Sequence, residues 1–280
     1  MAYYIPTNCE EAYEFLSAKD CKIIAGCTDF FPNLKLGKHP ENLLDVSRIE
    51  TLRGVSQHPD GWRIGAATTW ADVSTTALPP AFDGLKLAAR EVGSVQIQNV
   101  ATVVGNICNA SSAADGVPPL LALDAVIEIG SKRGQRSILL DEFVTGSRTI
   151  ELAADELVTA IMIPNLDREM QSNFFKLGSR TYLVISIVMV AIAIVIRGKT
   201  ITDLRVAVGS CSPTSVRLPT LENFLTGQSL DAIKAITFPH DLFEPLSPIS
   251  DIRASKEYRL TVVPELCRRL ILGSIARSPI

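Results

Sequence analysis

Residues 99–129 read NVATVVGNICNASSAADGVPPLLALDAVIEI, and this segment decides the fold. Its β-branched beginning predicts a strand, and residues 104–110 predict a glycine-containing turn directly after that strand. Small polar residues then continue to Asp115 before apolar character returns. Because Gly, Asn, Ala and Ser side chains let a ligand approach the backbone, the segment is a candidate binding loop. The alternative is a surface turn followed by a helix that Ser112 or Asp115 caps.

A second candidate loop lies near the start of the chain. Residues 22–25 (KIIA) predict a short strand, which runs directly into Gly26-Cys27-Thr28-Asp29. Backbone N–H groups in such turns form concave donor sites, so two of these turns together can hold a pyrophosphate without an arginine. Four side chains add hydroxyl and amide hydrogen bonds to the same ligand: Thr28, Thr102, Asn106 and Ser111.

Two aspartates restrict the kind of ligand. The carboxylates of Asp29 and Asp115 have the wrong charge for phosphate, and they are better placed to accept hydrogen bonds from ribityl or ribose hydroxyls or to cap a helix. A dinucleotide with a neutral, flat, redox-active ring suits this set of groups. A Rossmann nucleotide site is disfavoured, because the sequence contains neither G-x-G-x-x-G nor a P-loop pattern.

Composition limits the class of protein. With 280 residues, 47% of them hydrophobic, the chain is long enough for two compact domains and too apolar to be disordered. The 27 basic and 30 acidic residues give a net charge of -3 without long basic runs, which argues against a nucleic-acid binder. His39, His58 and His240 each adjoin a proline and predict turns, so histidine acid–base chemistry and histidine-bound metal are disfavoured.

Three features predict a cytoplasmic protein with no membrane contact. The N-terminal sequence MAYYIPTNCEEAYEFL lacks the basic and apolar segments of a secretory signal. Residues 182–196 form an apolar run of fifteen residues, shorter than the roughly 20 that span a bilayer, and they predict a buried strand. The six cysteines include no C-x-x-C pair and no four-cysteine cluster, which indicates a reducing compartment and no metal centre.

The remaining sequence predicts a series of helices and strands. Thr7 and Glu10 have capping-box spacing, which predicts the start of a helix. Pro264 is expected to divide a helical tail that begins near Arg253. Residues 165–168 (NLDR) are the candidate domain boundary. Further strands are predicted at residues 42–46, 61–65, 155–163, 172–178 and 201–209, and further helices at residues 82–92 and 218–225.

Several segments resemble the flavoprotein subunits of molybdenum hydroxylases, a family that includes bacterial xanthine, nicotinate and carbon monoxide dehydrogenases. Residues 22–37 and 99–129 resemble the two FAD-binding loops of that family. The likeness covers nearly the whole chain, and a xanthine dehydrogenase-like complex is the best match. Five further segments fall in family order: RIGAATTWADV (63–73), DELVTAIMIP (155–164), FFKLGSR (174–180), LRVAVGSCSPTSVRLP (204–219) and DIRASKEYR (251–259).

The resemblance implies an α+β fold with a two-lobed FAD-binding domain of the vanillyl-alcohol-oxidase/PCMH type. That domain would comprise residues 1–168, with lobes at about 1–55 and 56–168, and residues 169–280 would form a smaller C-terminal α+β domain. No metal ligands are implied. Carried over by position, the FAD site comprises Ile23, Ile24, Ala25, Gly26, Cys27, Thr28, Asp29, Phe30, Val92, Thr102, Val103, Val104, Gly105, Asn106, Asn109, Ser111, Asp115, Val158 and Lys176.

Two residues of this site region have alternative interpretations. Lys176, if it approaches the flavin, would stabilise the reduced anionic ring; otherwise it is a surface lysine after a strand. Tyr182 either stacks on the ring or simply begins a core strand. Neither residue is assigned a certain catalytic role.

Cys27 and Val104 stand where the family usually has glycine. A positive φ at either residue would cost about 1–2 kcal/mol. We therefore expect negative φ at both positions, with Gly26 and Gly105 making the turns.

The resemblance also implies an electron-transfer role within a heterotrimer. A molybdopterin-binding large subunit would hydroxylate the substrate, and a small subunit with two 2Fe-2S iron–sulfur clusters would relay the electrons. This chain would accept them on FAD and pass a pair to NAD+ or another acceptor. Two alternatives stay open. One is an autonomous FAD-dependent oxidoreductase, for which the sequence offers no obvious acid or base. The other is a cofactor-free scaffold, which Cys27 and Val104 would explain.

Overall fold

The computed structural model describes residues 2–34 and 40–275, so His39 lies outside the described residues. Strands and helices come in runs along the chain, with five consecutive helices between β5 and β6 and seven consecutive strands from β8 to β14. The strands are β1 (Ala2–Tyr4), β2 (Lys22–Ile24), β3 (Asn42–Asp45), β4 (Val55–His58), β5 (Gly61–Gly65), β6 (Val126–Ser131), β7 (Gly134–Leu139), β8 (Val144–Gly146), β9 (Thr149–Ile150), β10 (Leu157–Pro164), β11 (Gln171–Leu177), β12 (Val188–Arg197), β13 (Thr200–Gly209) and β14 (Val216–Arg217). The helices are α1 (Cys9–Ala18), α2 (Trp70–Thr75), α3 (Asp83–Glu91), α4 (Val95–Gln98), α5 (Val103–Asn109), α6 (Val117–Ala122), α7 (Leu140–Phe143), α8 (Pro219–Leu225), α9 (Leu230–Ala235) and α10 (Lys256–Ile275).

The N-terminal lobe is a three-stranded parallel sheet in the order β1-β3-β2. Helix α1 connects β1 to β2, and its side-chain cap is Asn8, whose Oδ1 accepts the N–H of Glu11 at 3.0 Å. The Glu11 carboxylate in turn accepts the N–H of Thr7 at 2.9 Å. The capping box predicted at Thr7 and Glu10 is therefore wrong by one residue. Strand β2 ends at Ile24, directly before the glycine turn.

The second lobe is an antiparallel sheet in the order β4-β5-β10-β6-β7. The strands predicted at residues 61–65 and 155–163 form its centre as β5 and β10. His58 is the last residue of β4 rather than part of a turn, whereas His240 begins a 3-10 turn at residues 240–243. Strands β8 and β9 form a separate two-stranded hairpin, which precedes β10 in sequence.

The C-terminal part is an antiparallel sheet in the order β11-β12-β13-β14. Its strand β12 explains the long apolar run, because both of its faces are buried. Residues 189, 191, 193 and 195 pack into the core of the N-terminal part, and residues 188, 190, 192 and 194 pack against α8, α9 and α10. Since side chains alternate across a strand, an apolar residue is needed at every position.

Only the second half of the apolar run is strand. Strand β12 begins at Val188, whereas Tyr182 is 49% exposed and Leu183 has a left-handed backbone with φ 51°. The guanidinium group of Arg180 donates to the carbonyl oxygen of Leu183 and closes this turn. The interpretation of Tyr182 as the start of a core strand is therefore wrong.

The helical tail is also simpler than expected. Helix α10 continues through Pro264, so the predicted division at that residue is wrong. A proline inside a helix removes one backbone hydrogen bond. Burial of Val263, Cys267 and Ile271 against the C-terminal sheet offsets that loss.

Two arginines join the C-terminal sheet to the turn between α6 and β6. Arg205 on β13 and Arg217 on β14 each place a guanidinium nitrogen 2.7 Å from a carboxylate oxygen of Asp124. Arg217 also donates to the carbonyl oxygen of Leu121 at 3.0 Å. These bonds, together with the shared core at β12, hold the two parts of the chain in contact.

Candidate functional site

One cleft gathers most of the predicted site residues. It has a volume of about 650 Å³ and opens between residues 21–30, residues 101–109 and residues 150–158. That volume lies in the range of small-molecule and cofactor sites. Fifteen of the nineteen predicted cofactor residues line it: Ile23, Ile24, Ala25, Gly26, Cys27, Thr28, Asp29, Phe30, Val92, Thr102, Val104, Gly105, Asn106, Asn109 and Val158.

The first loop, residues 25–30, follows β2 and turns at Cys27. Cys27 has φ 58°, so the expectation of a negative φ there is wrong. Gly26 is required for a different reason, since a Cβ atom on it would lie 1.9 Å from the carbonyl oxygen of Val100. The Cys27 thiol donates to the carbonyl oxygen of Ala25 at 3.4 Å, and burial raises the pKa of the thiol. The first loop is therefore held against the chain that enters the second loop.

The second loop, residues 102–115, begins with a helix. The strand and turn predicted here are wrong, because residues 103–109 form α5, with the Thr102 hydroxyl accepting the N–H of Gly105 at 2.9 Å. This cap and the burial of the helix outweigh the weak strand preference of β-branched residues. Val104 is accordingly helical, with negative φ as expected, but Gly105 makes no turn. The left-handed residue is Ala110 at the end of α5, with φ 47°.

The rest of the second loop is held by its own side chains. The Asn106 side-chain oxygen accepts the N–H of Gly116 at 3.2 Å, which leaves the Asn106 amide group as a donor beside the cleft. The Ser111 hydroxyl accepts the N–H of Ala113 at 3.2 Å, and Ser111 does not line the cleft. Helix α6 starts after Gly116 without a side-chain cap. The alternative in which Ser112 or Asp115 caps a helix is therefore wrong.

Asp115 and Lys176 form a buried ion pair outside the cleft lining. The Lys176 ammonium lies 2.8 Å from an Asp115 carboxylate oxygen, with the two side chains 6% and 11% exposed. Lys176 also donates to the carbonyl oxygen of Glu91 at 3.2 Å, and the Ser186 hydroxyl donates to Asp115 at 2.9 Å. Burial raises the pKa of Asp115, and the bonds from Lys176 and Ser186 partly oppose this. Lys176 is therefore not a surface lysine, and Asp115 neither caps a helix nor faces the cleft.

Two other predicted residues also lie away from the cleft. Val103, the first residue of α5, is fully buried and does not line the cleft. Tyr182 is not among the lining residues, and it lies in the exposed turn before β12.

Sequence reasoning found only Val158 in the third wall of the cleft, residues 150–158. Its one buried charged side chain, Glu156, accepts two hydrogen bonds from the Arg136 guanidinium, both at 2.8 Å. These bonds lower the pKa of Glu156 to about 2. Arg136 lies on β7 and Glu156 lies directly before β10, twenty residues further along the chain, so no local pattern predicts the pair. Glu156 therefore stays ionised at neutral pH and is not a candidate acid or base.

Arg148 was also missed, and it contacts both loops. Its guanidinium Nη1 lies 2.6 Å from a carboxylate oxygen of Asp29 and donates to the Asn109 side chain. Its backbone N–H donates to the carbonyl oxygen of Ala110 at 2.7 Å. Arg148 lies at the tip of the β8-β9 hairpin, 119 residues after Asp29 in sequence.

Among residues 2–34 and 40–275, no group of three or more His, Cys, Asp and Glu side chains could hold a metal ion. Within the same residues, no helix has both the length and the apolar character that crossing a membrane requires.

The fold and the cleft define a two-part flavoprotein, and comparison with family models identifies it. Residues 1–166 match the FAD binding domain in molybdopterin dehydrogenase, and residues 173–274 match the CO dehydrogenase flavoprotein C-terminal domain. The chain belongs to the FAD-binding subunits of the molybdenum hydroxylase family, and its cofactor is FAD. The resemblance stated from the sequence motifs is confirmed.

Similar proteins agree with this assignment. The xanthine dehydrogenase FAD-binding subunit of Escherichia coli O157:H7 is 31% identical, over 92% of this chain and 89% of that protein. The nicotine 6-hydroxylase medium subunit of Paenarthrobacter nicotinovorans is also 31% identical, over 99% of this chain and 98% of that protein. A structure of carbon monoxide dehydrogenase from Hydrogenophaga pseudoflava contains a chain with a TM-score of 0.90 at 25% identity, covering 100% of this chain and 98% of that one.

The residues around the cleft fit a bound flavin dinucleotide. The lining is largely apolar, as a flat aromatic ring system requires, and the polar groups at the two loops are hydroxyl, amide and backbone donors. Trp70 lines the cleft, and its buried indole N–H has no hydrogen-bond partner within the described residues. Two carboxylate side chains line the cleft, those of Asp29 and Glu156. Each is already paired with an arginine. The site therefore offers donors to an anionic ligand without unpaired negative charge at these positions.

Proposed function

We propose that this chain is the FAD-carrying electron-transfer subunit of a cytoplasmic molybdenum hydroxylase complex. In this proposal a molybdopterin-binding large subunit acts on the substrate, and a small subunit supplies electrons from 2Fe-2S clusters. The final acceptor is NAD+ or another oxidant. The names of the relatives support a subunit role, since they include a nicotine 6-hydroxylase medium subunit and a carbon monoxide dehydrogenase medium chain.

One observation carries the placement of FAD: fifteen residues selected from the sequence meet around a single cleft. We propose that the FAD phosphates and ribityl group lie near the first and second loops. Thr28 and Thr102 supply hydroxyl groups there, and Asn106 supplies its amide. Gly26 lets the first loop approach Val100 closely, so that the two loops form one continuous wall.

When bound, FAD supplies the redox chemistry, and the side chains of this chain bind it, orient it and keep water from it. The apolar lining from Ile23, Val104 and Val158 suits the exclusion of water. Glu156 stays ionised because Arg136 holds its pKa near 2, so it holds no proton to exchange at neutral pH. The protein's part in the reaction is therefore positioning rather than proton transfer.

The pairing of the carboxylates beside the cleft disfavours an autonomous oxidoreductase. Such an enzyme would need an acid or base beside the cleft. Asp29 and Glu156 are both held in ion pairs with arginine, and neither is free for that task. The cofactor-free scaffold is disfavoured by the family assignment, whose cofactor is FAD.

Three further assignments complete the proposal. We propose that Lys176 acts on the flavin through the second loop, because its ammonium already pairs with Asp115. Tyr182, which is exposed, stays a proposed neighbour of the ring. We place the domain boundary at residue 168, within the segment that joins β10 to β11.

Co-expression with the products of neighbouring genes tests the proposal. The chain should copurify with a molybdenum-containing and an iron–sulfur subunit, and substrates of that complex should reduce its flavin. The isolated FAD-loaded chain, as the matched control, should not be reduced by the same compounds. Substrate turnover by the isolated chain would contradict the subunit role and favour the autonomous enzyme.

A further inference from the structure

Arg148 fastens the two cofactor loops together, and we propose that it is a positioning residue that sets how fast FAD leaves the cleft. This inference rests on the proposed placement of FAD between the loops. Arg148 does not line the cleft, so it acts through the residues that do.

The contacts of Arg148 reach both loops. The first loop contributes Asp29, whose carboxylate lies 2.6 Å from guanidinium Nη1. The second loop contributes the Asn109 side chain and the Asn109 carbonyl oxygen, the latter at 3.4 Å. The main chain of Arg148 adds a bond to the Ala110 carbonyl oxygen at 2.7 Å. Both Asp29 and Asn109 line the cleft, so the guanidinium bridges two of its walls.

The backbone at these contacts is held in an unfavourable conformation. Cys27, Ala110 and Arg148 have φ values of 58°, 47° and 62°, and none of them is glycine. A left-handed residue costs about 1–2 kcal/mol and persists only where its surroundings hold it. Arg148 contacts Asp29, two residues after Cys27, and Asn109 and Ala110 at the end of α5, so it links the segments that contain these three residues. Without it, each turn has less to oppose its relaxation.

The ion pair between Arg148 and Asp29, here called the bridge, is weak enough to break reversibly. Arg148 and Asp29 are 49% and 46% exposed, and an ion pair this open to water contributes little to stability. Its loss is therefore too small to unfold the protein. A gate of this strength changes a dissociation rate by a few fold, which is the effect we expect.

Release of FAD from the full-length loaded chain measures the effect directly. After dilution, the fluorescence of free FAD should rise about two to five times faster for Arg148→Met than for the wild type. Arg148→Lys should fall between them, because it keeps the charge but loses the fork of donors. Raising the salt concentration should bring the wild-type rate towards that of Arg148→Met, since salt screens exposed charges. A purely structural role would not produce this salt dependence.

Arg197→Met is the matched control. Arg197 is likewise an exposed arginine paired with two carboxylates, those of Asp167 and Glu169, but it lies at the end of β12. Its replacement should leave the release rate unchanged.

Two results separate this inference from the proposed function. If the wild-type chain takes up no FAD, the placement of the cofactor fails and the bridge fails with it. If the wild type holds FAD and Arg148→Met releases it at the wild-type rate, only the bridge is overturned. Should Arg148→Met fail to fold, Asp29→Asn removes the charged acceptor alone and should still accelerate release, and an unchanged rate would overturn the inference. In a double-mutant cycle, adding Asp29→Asn to Arg148→Met should produce little further acceleration.

Discussion

The Nζ atom of Lys176 lies 2.8 Å from Oδ2 of Asp115, and this bond joins β11 to the end of the second loop. Both side chains are buried, and Ser186 completes the set from the segment before β12. The C-terminal sheet therefore supports the second loop from behind. Lys176 in this way helps to hold a wall of the cleft that it does not itself line.

Breaking the Lys176–Asp115 pair on one side should be strongly destabilising. Asp115→Asn leaves the buried ammonium without its counter-charge, so the free energy of unfolding should fall by about 3–5 kcal/mol. Urea unfolding measures this. The double variant Asp115→Leu with Lys176→Met removes both charges and should be more stable than Asp115→Asn. If the double variant is the less stable one, the pair does not work as described.

Glu156 should make stability depend on pH in the acidic range. Its pKa falls to about 2 in the folded chain, against about 4.3 in an unfolded one, so its contribution is complete above the unfolded value. That contribution is lost as the pH falls from about 5 towards 2. Glu156→Gln should lower the free energy of unfolding by about 1–3 kcal/mol at pH 7, allowing for partial exposure of Arg136. Unfolding curves between pH 3 and pH 8 should show this difference shrinking as the pH falls; a constant difference would count against it.

Glycine at position 27 should stabilise the chain slightly. Cys27→Gly removes the left-handed penalty of about 1–2 kcal/mol but adds chain entropy to the unfolded state, for a net gain of about 0.5–1 kcal/mol. Cys27→Ala keeps the penalty and serves as the control. Thermal unfolding should place the glycine variant above the alanine variant. Equal midpoints would mean that the backbone at this position is not strained.

Gly26 should tolerate no side chain. The methyl group of Gly26→Ala would lie 1.9 Å from the Val100 carbonyl oxygen, so the first loop must move away from the second. We expect loss of FAD retention together with a lower melting temperature. Gly273→Ala is the control, since its Cβ meets nothing within 4 Å and alanine favours a helix. Retention of FAD by Gly26→Ala at the wild-type level would show that the close approach is unimportant.

Much of the fold followed from local patterns. The strand at β12 was predictable because its apolar run is too short for a membrane, and β5 and β10 because of their composition. The start of α5 was not, since its β-branched residues favour a strand and the helix depends on the Thr102 cap and on burial. Likewise, the sequence pattern places Tyr182 in the same strand as β12, but the turn at Leu183 separates the two in the structure.

The candidate site was likewise predictable only in part. Its two loops carry recognisable sequence segments, and those segments located most of the cleft lining. Arg148 and the Glu156–Arg136 pair carry no such signal, because their partners are distant in sequence and are joined only by the fold. Cys27 was misjudged because a steric preference of 1–2 kcal/mol is smaller than the tertiary contacts that hold the first loop. Long-range ion pairs and local backbone strain are therefore the features that could not be predicted from the sequence.

The central claim is that FAD occupies the cleft between the two loops. It is tested most directly by the visible absorbance of the chain after incubation with FAD and removal of the excess, for the wild type and for Ala25→Trp. Ala25 lines the cleft and is partly exposed, so an indole at this position should fill the space that FAD would occupy. Ala235→Trp, at an exposed position at the end of α9, is the control. The account predicts equimolar FAD on the wild type and the control and none on a folded Ala25→Trp chain; equal FAD on all three would contradict it.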